Sequence, residues 1–332
     1  MAAHLSVKEN YMRMMNGEIP EFVPRYSIFW GIGCSGLRVP REPDAKKWKD
    51  IWGISYVAEW TANNGALPEP NNFLLDDVRK WRDVVKRPAI IDEVDWELCS
   101  KRDLDARNPE LPIIGGGGVG NGYFQMLMAF MGFNAGLVAC LEEPEEVKDM
   151  LNFILDLNIE VGKKFLQYYK PEVFSMGDDI AHERMPFVSE AVFLDLFEPM
   201  WRKQTALFKE AGLPANHHNC GYIEPFVPYL VDMGFNSMDP SQVVNDLKGI
   251  KARYSPKFAI CGGFPSNGMA SWPETTEEEI RAEVRRVMDE LAPGGGYSFG
   301  GSVMGPPGDP FATQRNEWIS DEYEKNKFKY YN

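Results

Sequence analysis

The sequence has no long hydrophobic run: no stretch of about 18 residues, the length that crosses a bilayer, is free of charged or helix-breaking residues. Residues 1–9 also lack the apolar centre of a signal peptide. Both absences disfavour a membrane-spanning or secreted protein. We therefore expect a cytoplasmic protein with no membrane partner.

Cysteines and basic residues are scarce as well. The 332 residues include five unevenly spaced cysteines, whereas disulfide frameworks belong mainly to short secreted domains, so we predict reduced thiols. The 35 Lys and Arg residues are outnumbered by 49 Asp and Glu residues, which gives a formal net charge of -14. This excess of negative charge disfavours nucleic acid and anionic membranes as partners.

The C-terminal two thirds of the sequence alternate short apolar runs with amphipathic helical segments. This rhythm is typical of a parallel sheet with crossover helices. The predicted strands begin at Val173, Pro214, Phe235, Lys257 and Tyr297. A single α/β domain over residues 1–332, folded as a TIM (β/α)8 barrel, explains the rhythm best, and a doubly wound open sheet is the second choice.

The N-terminal third is less regular. Residues 22–30 suit a first barrel strand that follows an amphipathic leader helix, whereas residues 40–110 are rich in Trp, Asp and Pro. We therefore predict a barrel with an N-terminal helical extension and a long insertion.

Residues 216–221 (NHHNCG) hold two of the four histidines and one of the five cysteines. They follow a predicted strand, in which successive side chains point to opposite faces, so His218 and Cys220 share a face. An imidazole beside a thiolate suits Zn²⁺ better than it suits hard cations. The alternative is a buried structural histidine next to an inert cysteine.

Two adjacent acids, Asp178 and Asp179, end the preceding predicted strand, and barrel enzymes carry their catalytic residues at such strand ends. Paired carboxylates can share a proton or bind a metal. Alternatively, one of them caps the following segment. His182 and Glu183 follow on the same loop, where they could reach the same site or remain solvated.

Glycines and aromatic residues suggest a pocket. Residues 115–120 formally match the dinucleotide-binding pattern G-x-G-x-x-G. No second strand with a ribose-binding acid follows promptly, so a dinucleotide site is disfavoured. We interpret the glycines as backbone at a pocket mouth that a flat ligand can approach. Tyr26, Phe29 and Trp30 would supply apolar walls, with core packing as the alternative.

Residues 110–300 resemble the uroporphyrinogen decarboxylase-like superfamily. The matching stretches are FQMLMAFMGFNAGLVACL at 124–141, GDDI at 177–180, HHNCG at 217–221, DLK at 246–248 before CGG at 261–263, and GGGY at 294–297. The resemblance implies a TIM-type barrel with its pocket at the C-terminal ends of the strands.

The superfamily contains porphyrin decarboxylases and cobalamin-linked methyltransferases. The arginine-rich Met-Arg-Gln-Ala-Gly-Arg signature of the decarboxylases has no counterpart at residues 26–36, which are aromatic and glycine-rich. His218 and Cys220 instead resemble the His-x-Cys pair of zinc-dependent methyltransferases. Members that methylate thiols take a third zinc ligand from a cysteine on the last strand, and residues 294–296 offer none.

The resemblance therefore implies a methyltransferase that demethylates a methoxylated aromatic substrate. It would pass the methyl group to the Co(I) centre of a separate corrinoid protein, which carries the cobalamin. A decarboxylase, a methyltransferase for methylamines, betaines or thiols, and a non-catalytic ligand-binding barrel remain alternatives. A homodimer is left open.

This interpretation assigns roles to individual residues. Because inward side chains of alternate barrel strands share a layer, Cys261 could lie level with His218. The expected zinc ligands are His218, Cys220, Cys261 and Glu183. The expected catalytic residues are Asp178, Asp179, His182 and His218, and the expected substrate-binding residues are Tyr26, Phe29, Trp30 and Gly263.

Overall fold

The computed structural model describes residues 4–27, 30–42, 45–59, 65–306 and 308–331. Five strands form one parallel sheet in the order β4-β5-β6-β7-β8. Their bounds are β4 Phe174–Gly177, β5 Ala215–His218, β6 Ser237–Asp239, β7 Ala259–Gly263 and β8 Tyr297–Gly300. The five predicted strands are thus confirmed as consecutive parallel strands.

Parallel bridges continue the sheet into a ring. Arg25 pairs with Phe299 of β8, Gly31 pairs with Ile114, and Ile114 pairs with Val173 next to β4. The backbone N–H of Ile32 donates to Ile114 O at 2.8 Å, and that of Gly115 donates to Val173 O at 3.0 Å. The fold is therefore a TIM-type (β/α)8 barrel, and the open-sheet alternative is wrong.

Helices α5 to α13 surround the ring. The long α7 buries the stripe predicted from its three- and four-residue spacing, which includes Val147, Leu151 and Phe165. The bounds are α5 Tyr123–Met131, α6 Phe133–Glu142, α7 Pro144–Tyr169, α8 Glu190–Val192, α9 Glu198–Glu210, α10 Val227–Asp232, α11 Leu247–Tyr254, α12 Glu277–Leu291 and α13 Pro310–Asn326. A π-helical turn, Phe193–Phe197, joins α8 to α9.

The leader helix α1 (Val7–Met15) begins at Ser6 with a capping box completed by Glu9. Its buried side chains Tyr11, Met14 and Met15 pack with Ile114, Val173, Ala259 and Cys261 in one apolar cluster. These partners belong to strand segments, so the helix fills part of the barrel interior. The predicted helical extension is therefore present and contributes to the core.

The predicted insertion carries its own small elements. Strands β1 (Lys47–Lys49), β2 (Ser55–Glu59) and β3 (Gly65–Pro68) form an antiparallel sheet. Three short helices follow: α2 Trp81–Val84, α3 Ile90–Glu93 and α4 Trp96–Asp105. The indole N–H of Trp52, between β1 and β2, donates to Val119 O and so connects the insertion to the glycine segment.

Among the described residues, no single helix is both long and apolar enough to cross a membrane. Helices α5 and α6, whose axes differ by 112°, are long and apolar enough only when the two are taken together. Nearly every side chain of α5 is buried in the protein core.

Candidate active site

A cavity of about 360 Å³ lies at the C-terminal ends of β4 and β5. This is the end of the barrel at which the sequence placed the pocket. Its lining combines glycine backbone, side-chain amides, hydroxyls, one carboxylate and one imidazole: Gly116, Gly118, Gly120, Asn121, Gly122, Tyr123, Gln125, Asn158, Ser175, Met176, Gly177, Asp179, Gln204 and His218.

The glycine segment forms one wall of the cavity because side chains would not fit at several of its positions. A Cβ added at Gly122 would lie 2.2 Å from Cγ of Asp178, and one at Gly116 would lie 2.6 Å from the ring of Phe174. Gly118 is different, since its nearest neighbour would be 3.7 Å away. The glycines thus lie at a pocket as the sequence indicated, several of them closely packed, and the approach of a flat ligand stays a prediction.

Three side chains with metal-binding atoms converge beside this cavity. Ligand atoms of Asp179, His218 and Cys220 all lie within 4.8 Å of one another. Nε2 of His218 is 3.9 Å from Sγ of Cys220 and 4.0 Å from Oδ1 of Asp179. Strand alternation predicted that His218 and Cys220 would share a face, and the end of the neighbouring strand β4 brings Asp179 to it.

His217 occupies the opposite face of β5, as the alternation predicts. Its ring is fully buried, with its centroid 4.3 Å from that of Trp201 and 5.2 Å from that of Phe235. Burial, and secondarily the charge of His218, lowers the pKa of His217 to about 3. His217 is therefore a neutral core residue, and only its neighbour faces the cavity.

Asp239, the last residue of β6, orients His218. Its Oδ2 lies 2.6 Å from Nδ1 of His218, and its side chain is completely buried. Asn216 donates to Oδ1 of the same carboxylate. Burial alone would lower the pKa of His218, but the hydrogen bonds to Asp239 and Cys220 and the charges of Asp239 and Asp179 outweigh it and raise the pKa to about 11.

The donor set fits a zinc ion. Carboxylate, imidazole and thiolate are all zinc ligands, and three protein ligands leave a coordination position for a substrate, as in catalytic zinc sites. Asp239 holds Nδ1 of His218, which leaves Nε2 as the ligand atom; a carboxylate behind a ligating histidine is the usual second partner in such sites. Asp179, His218 and Cys220 would therefore hold the metal.

The surroundings of Asp178 differ from those of Asp179 and from those expected for a catalytic residue. Its carboxylate accepts the backbone N–H of Phe124 at 3.0 Å, that of Gln125 at 3.1 Å, and the indole N–H of Trp201 at 2.9 Å. Burial raises its pKa to about 6 against these hydrogen bonds. Asp178 caps the first turn of α5 and does not line the cavity, so a capping role replaces the catalytic one.

Three other expected site residues lie apart from the cluster. The Glu183 side chain is 73% exposed, and its Oε1 lies 3.5 Å from Nε of Arg184. The ring of His182 lies 5.3 Å from that of Phe187 at an angle of 37°, and its Nδ1 accepts the backbone N–H of Arg184. Cys261 is fully buried, and burial raises the pKa of its thiol well above the ordinary value. Asp179 takes the place that the sequence gave to Cys261 and Glu183.

Three of the four expected substrate-binding residues are not among the described residues that line the cavity. Tyr26 and Trp30 pack against Tyr11 of α1, with ring centroids 6.5 Å and 5.7 Å from it. Gly263 is buried, and an added Cβ would meet Leu291 of α12 at 2.6 Å. Phe29 lies outside the described residues. Tyr26 and Trp30 are only partly buried against the α1 cluster, and the Tyr26 hydroxyl reaches Asp239, so substrate binding by these side chains stays a prediction.

Sequence reasoning missed Asp239. The predicted strand ended at Met238, one residue before it, and an acid that ends a strand was the signal already used for Asp178 and Asp179. The amides Asn158 and Gln204 were also missed because they lie inside helices α7 and α9, where periodicity indicates only which side is buried.

Comparisons with known proteins agree with this fold. The family model described as uroporphyrinogen decarboxylase (URO-D) matches residues 64–313. A solved structure described as a methyltransferase from Methanosarcina mazei is 13% identical, covers 97% of this chain and 99% of that chain, and superposes with a TM-score of 0.63. At this identity the similarity shows the fold alone. No curated protein matches the chain.

Proposed function

The chain belongs to the uroporphyrinogen decarboxylase family of enzymes, and on that premise we propose that it is a corrinoid-dependent methyltransferase. It would cleave the methyl ether of a methoxylated aromatic compound and transfer the methyl group to the Co(I) centre of a corrinoid protein, which brings the cobalamin. The structural similarity to a methyltransferase of the same fold is compatible with this proposal.

The observation that carries the proposal is the cluster of Asp179, His218 and Cys220 at the edge of the cavity. When bound there, zinc would act as a Lewis acid toward the ether oxygen. Asp239 fixes the rotation of the His218 ring, so that Nε2 faces Asp179 and Cys220. Cleavage of an aryl ether needs activation of the ether oxygen. The cluster would supply this activation beside a cavity that has a glycine wall to receive the substrate.

The reaction breaks the bond between the methyl carbon and the ether oxygen. The oxygen keeps the electron pair and leaves as a phenolate, while the methyl group moves to cobalt. A phenol has a pKa of about 10, so stabilising the leaving oxygen lowers the barrier. In the metal-free protein, His218 keeps a proton at neutral pH because its pKa is raised to about 11, and it can stabilise the leaving phenolate by a charge-assisted hydrogen bond.

Decarboxylation of a porphyrinogen is disfavoured by the charge of the cavity. Among the described residues that line it, none is Lys or Arg, and Asp179 adds a negative charge. Several carboxylates brought into such a site would lack positive partners, and a buried unpaired charge is strongly unfavourable. The same lining suits an uncharged ether.

The test is an anaerobic assay with reduced corrinoid protein and a panel of methoxyarenes, scored by phenol release and by the change in corrinoid absorbance. We expect one phenol for each methyl group transferred. His218→Ala should lower the rate by roughly 100-fold or more, whereas the control His182→Ala should retain activity because His182 lies outside the cavity lining. The proposal fails if no methoxyarene is demethylated or if His218→Ala is as active as wild type.

A further inference from the structure

Building on the proposed function, we propose that the cavity selects methoxyarenes that carry an uncharged hydroxyl group and rejects those that carry a carboxylate. The selecting group is an amide and phenol network of Tyr123, Asn158 and Gln204, which lines the cavity. This assigns a specificity-determining role to three residues that do not belong to the Asp179, His218 and Cys220 cluster.

The network joins three helices. Tyr123 of α5 donates its hydroxyl to Oε1 of Gln204 in α9 at 2.7 Å, and Nδ2 of Asn158 in α7 donates to the Tyr123 hydroxyl at 3.2 Å. Oδ1 of Asn158 accepts the backbone N–H of Val119 at 2.9 Å. All three side chains are buried, so their orientations are fixed by these bonds.

The network keeps unused hydrogen-bond donors. Nε2 of Gln204 makes no hydrogen bond to another described residue. This nitrogen is not fully enclosed by the protein either. Because Gln204 is 5% exposed overall and lines the cavity, its amide hydrogens are reached from the cavity. They can donate to an oxygen of a bound ligand, and an apolar ring substituent would leave them unpaired.

The charge of the cavity lining decides whether the ligand oxygen can belong to a carboxylate or to a hydroxyl group. The lining has no Lys or Arg among its described members, and its one imidazole, on His218, is already paired with the buried Asp239. A ligand carboxylate would therefore meet no unbalanced cation, because Asp239 balances the charge of protonated His218, and Asp179 with the Cys220 thiolate would balance a bound zinc ion. A hydroxyl group can accept from Gln204 without bringing a charge.

Isothermal titration calorimetry with guaiacol, vanillate and anisole tests this selection without requiring turnover. Vanillate is the same ring as guaiacol with a carboxylate added, and anisole lacks the hydroxyl. We expect guaiacol to bind at least roughly tenfold more tightly than either of the others. Equal or tighter binding of vanillate, or no binding of guaiacol, would overturn the inference.

Two substitutions connect the preference to Gln204. Gln204→Lys supplies a cation and should shift the ratio of affinities toward vanillate, whereas the matched control Gln314→Lys, on the exposed surface of α13, should leave it unchanged. Gln204→Met, a nearly isosteric change, should abolish the preference for guaiacol over anisole. Thermal unfolding verifies that each variant is folded, and unaltered ratios in both folded Gln204 variants would contradict the inference.

The outcomes also separate this inference from the proposed function. If guaiacol binds preferentially but is never demethylated, the selectivity stands and the methyltransferase proposal fails. If guaiacol and vanillate are demethylated with equal kcat/KM and bind equally, the methyltransferase proposal stands and the selectivity fails.

Discussion

Two consecutive aspartates at the end of β4 have opposite surroundings and therefore different roles. The carboxylate of Asp178 is fully buried and accepts three N–H donors. Asp179 is half-buried, accepts the backbone N–H of Cys220 at 2.7 Å and the amide of Gln125 at 3.1 Å, and faces the cavity. The strand end thus uses one acid to fix α5 and presents the other to the cavity, where we propose that it binds the metal.

This difference predicts contrasting effects of the same substitution. Asp178→Asn should lower the free energy of unfolding by about 2–4 kcal/mol, because an amide cannot accept from all three donors and the helix cap is weakened. Asp179→Asn should change it by less than about 1 kcal/mol while reducing metal binding. Urea denaturation measures both values. Equal destabilisation by the two substitutions would show that the roles are not divided in this way.

At the scale of elements, the wall of the cavity depends on a glycine segment held from two sides. The start of α5 is fixed by Asp178, and Val119 is bound both by the side-chain amide of Asn158 and by the indole of Trp52. A core helix and the insertion thus position the same loop. The insertion therefore contributes to the shape of the site.

The glycines of this segment should differ in their tolerance of a methyl group. Gly122→Ala should destabilise the protein by more than about 2 kcal/mol, since overpacking against the buried Asp178 requires the backbone to move. Gly118→Ala should leave the melting temperature within a few degrees of wild type, because the added carbon meets nothing closer than 3.7 Å. Differential scanning calorimetry compares them, and similar losses in both would contradict the packing described here.

The insertion should influence ligand binding through Trp52. Trp52→Phe removes the hydrogen bond to Val119 while keeping most of the aromatic surface, and we expect a loss of about 1 kcal/mol in stability. The affinity for guaiacol should fall because the glycine wall is less fixed. Trp48→Phe, in β1 of the same insertion, is the control. If Trp52→Phe binds guaiacol as wild type does, the insertion has no part in shaping the site.

The sequence best predicted those helices and strands in which apolar residues recur at a regular spacing or form a continuous run. The spacing of Val147, Leu151 and Phe165 and the apolar runs from Val173 onward are local patterns, and the structure confirms the helix and strands that they predict. The small sheet of the insertion was not predicted. The capping of α5 by Asp178 was also missed, because 54 residues separate Asp178 from Phe124 along the chain.

The same reason explains which site residues the sequence could identify. Strand alternation gives the face of a side chain, so His218 and Cys220 were assigned to one face correctly. It does not give which side chains pack around each of these residues, because those neighbours come from elements that are distant along the chain. Cys261 packs in the apolar cluster around α1 and is not part of the group formed by Asp179, His218 and Cys220.

For the whole molecule, the closed ring is what assembles the site. Asp179, His218 and Asp239 follow or end three successive parallel strands, and Tyr123, Asn158 and Gln204 come from three of the surrounding helices. The barrel thus brings the proposed metal-binding cluster and a polar network to one cavity. Among the described residues, no Lys or Arg lines this cavity.

The most direct test of this account is the zinc content of purified protein that has been loaded with zinc and then freed of excess metal, measured by plasma mass spectrometry. We predict about one zinc ion per chain in wild type, retained in Cys261→Ser and Glu183→Gln and largely lost in Cys220→Ser, His218→Ala and Asp179→Asn. Zinc that is lost in Cys261→Ser but retained in Asp179→Asn would contradict the assignment of the site.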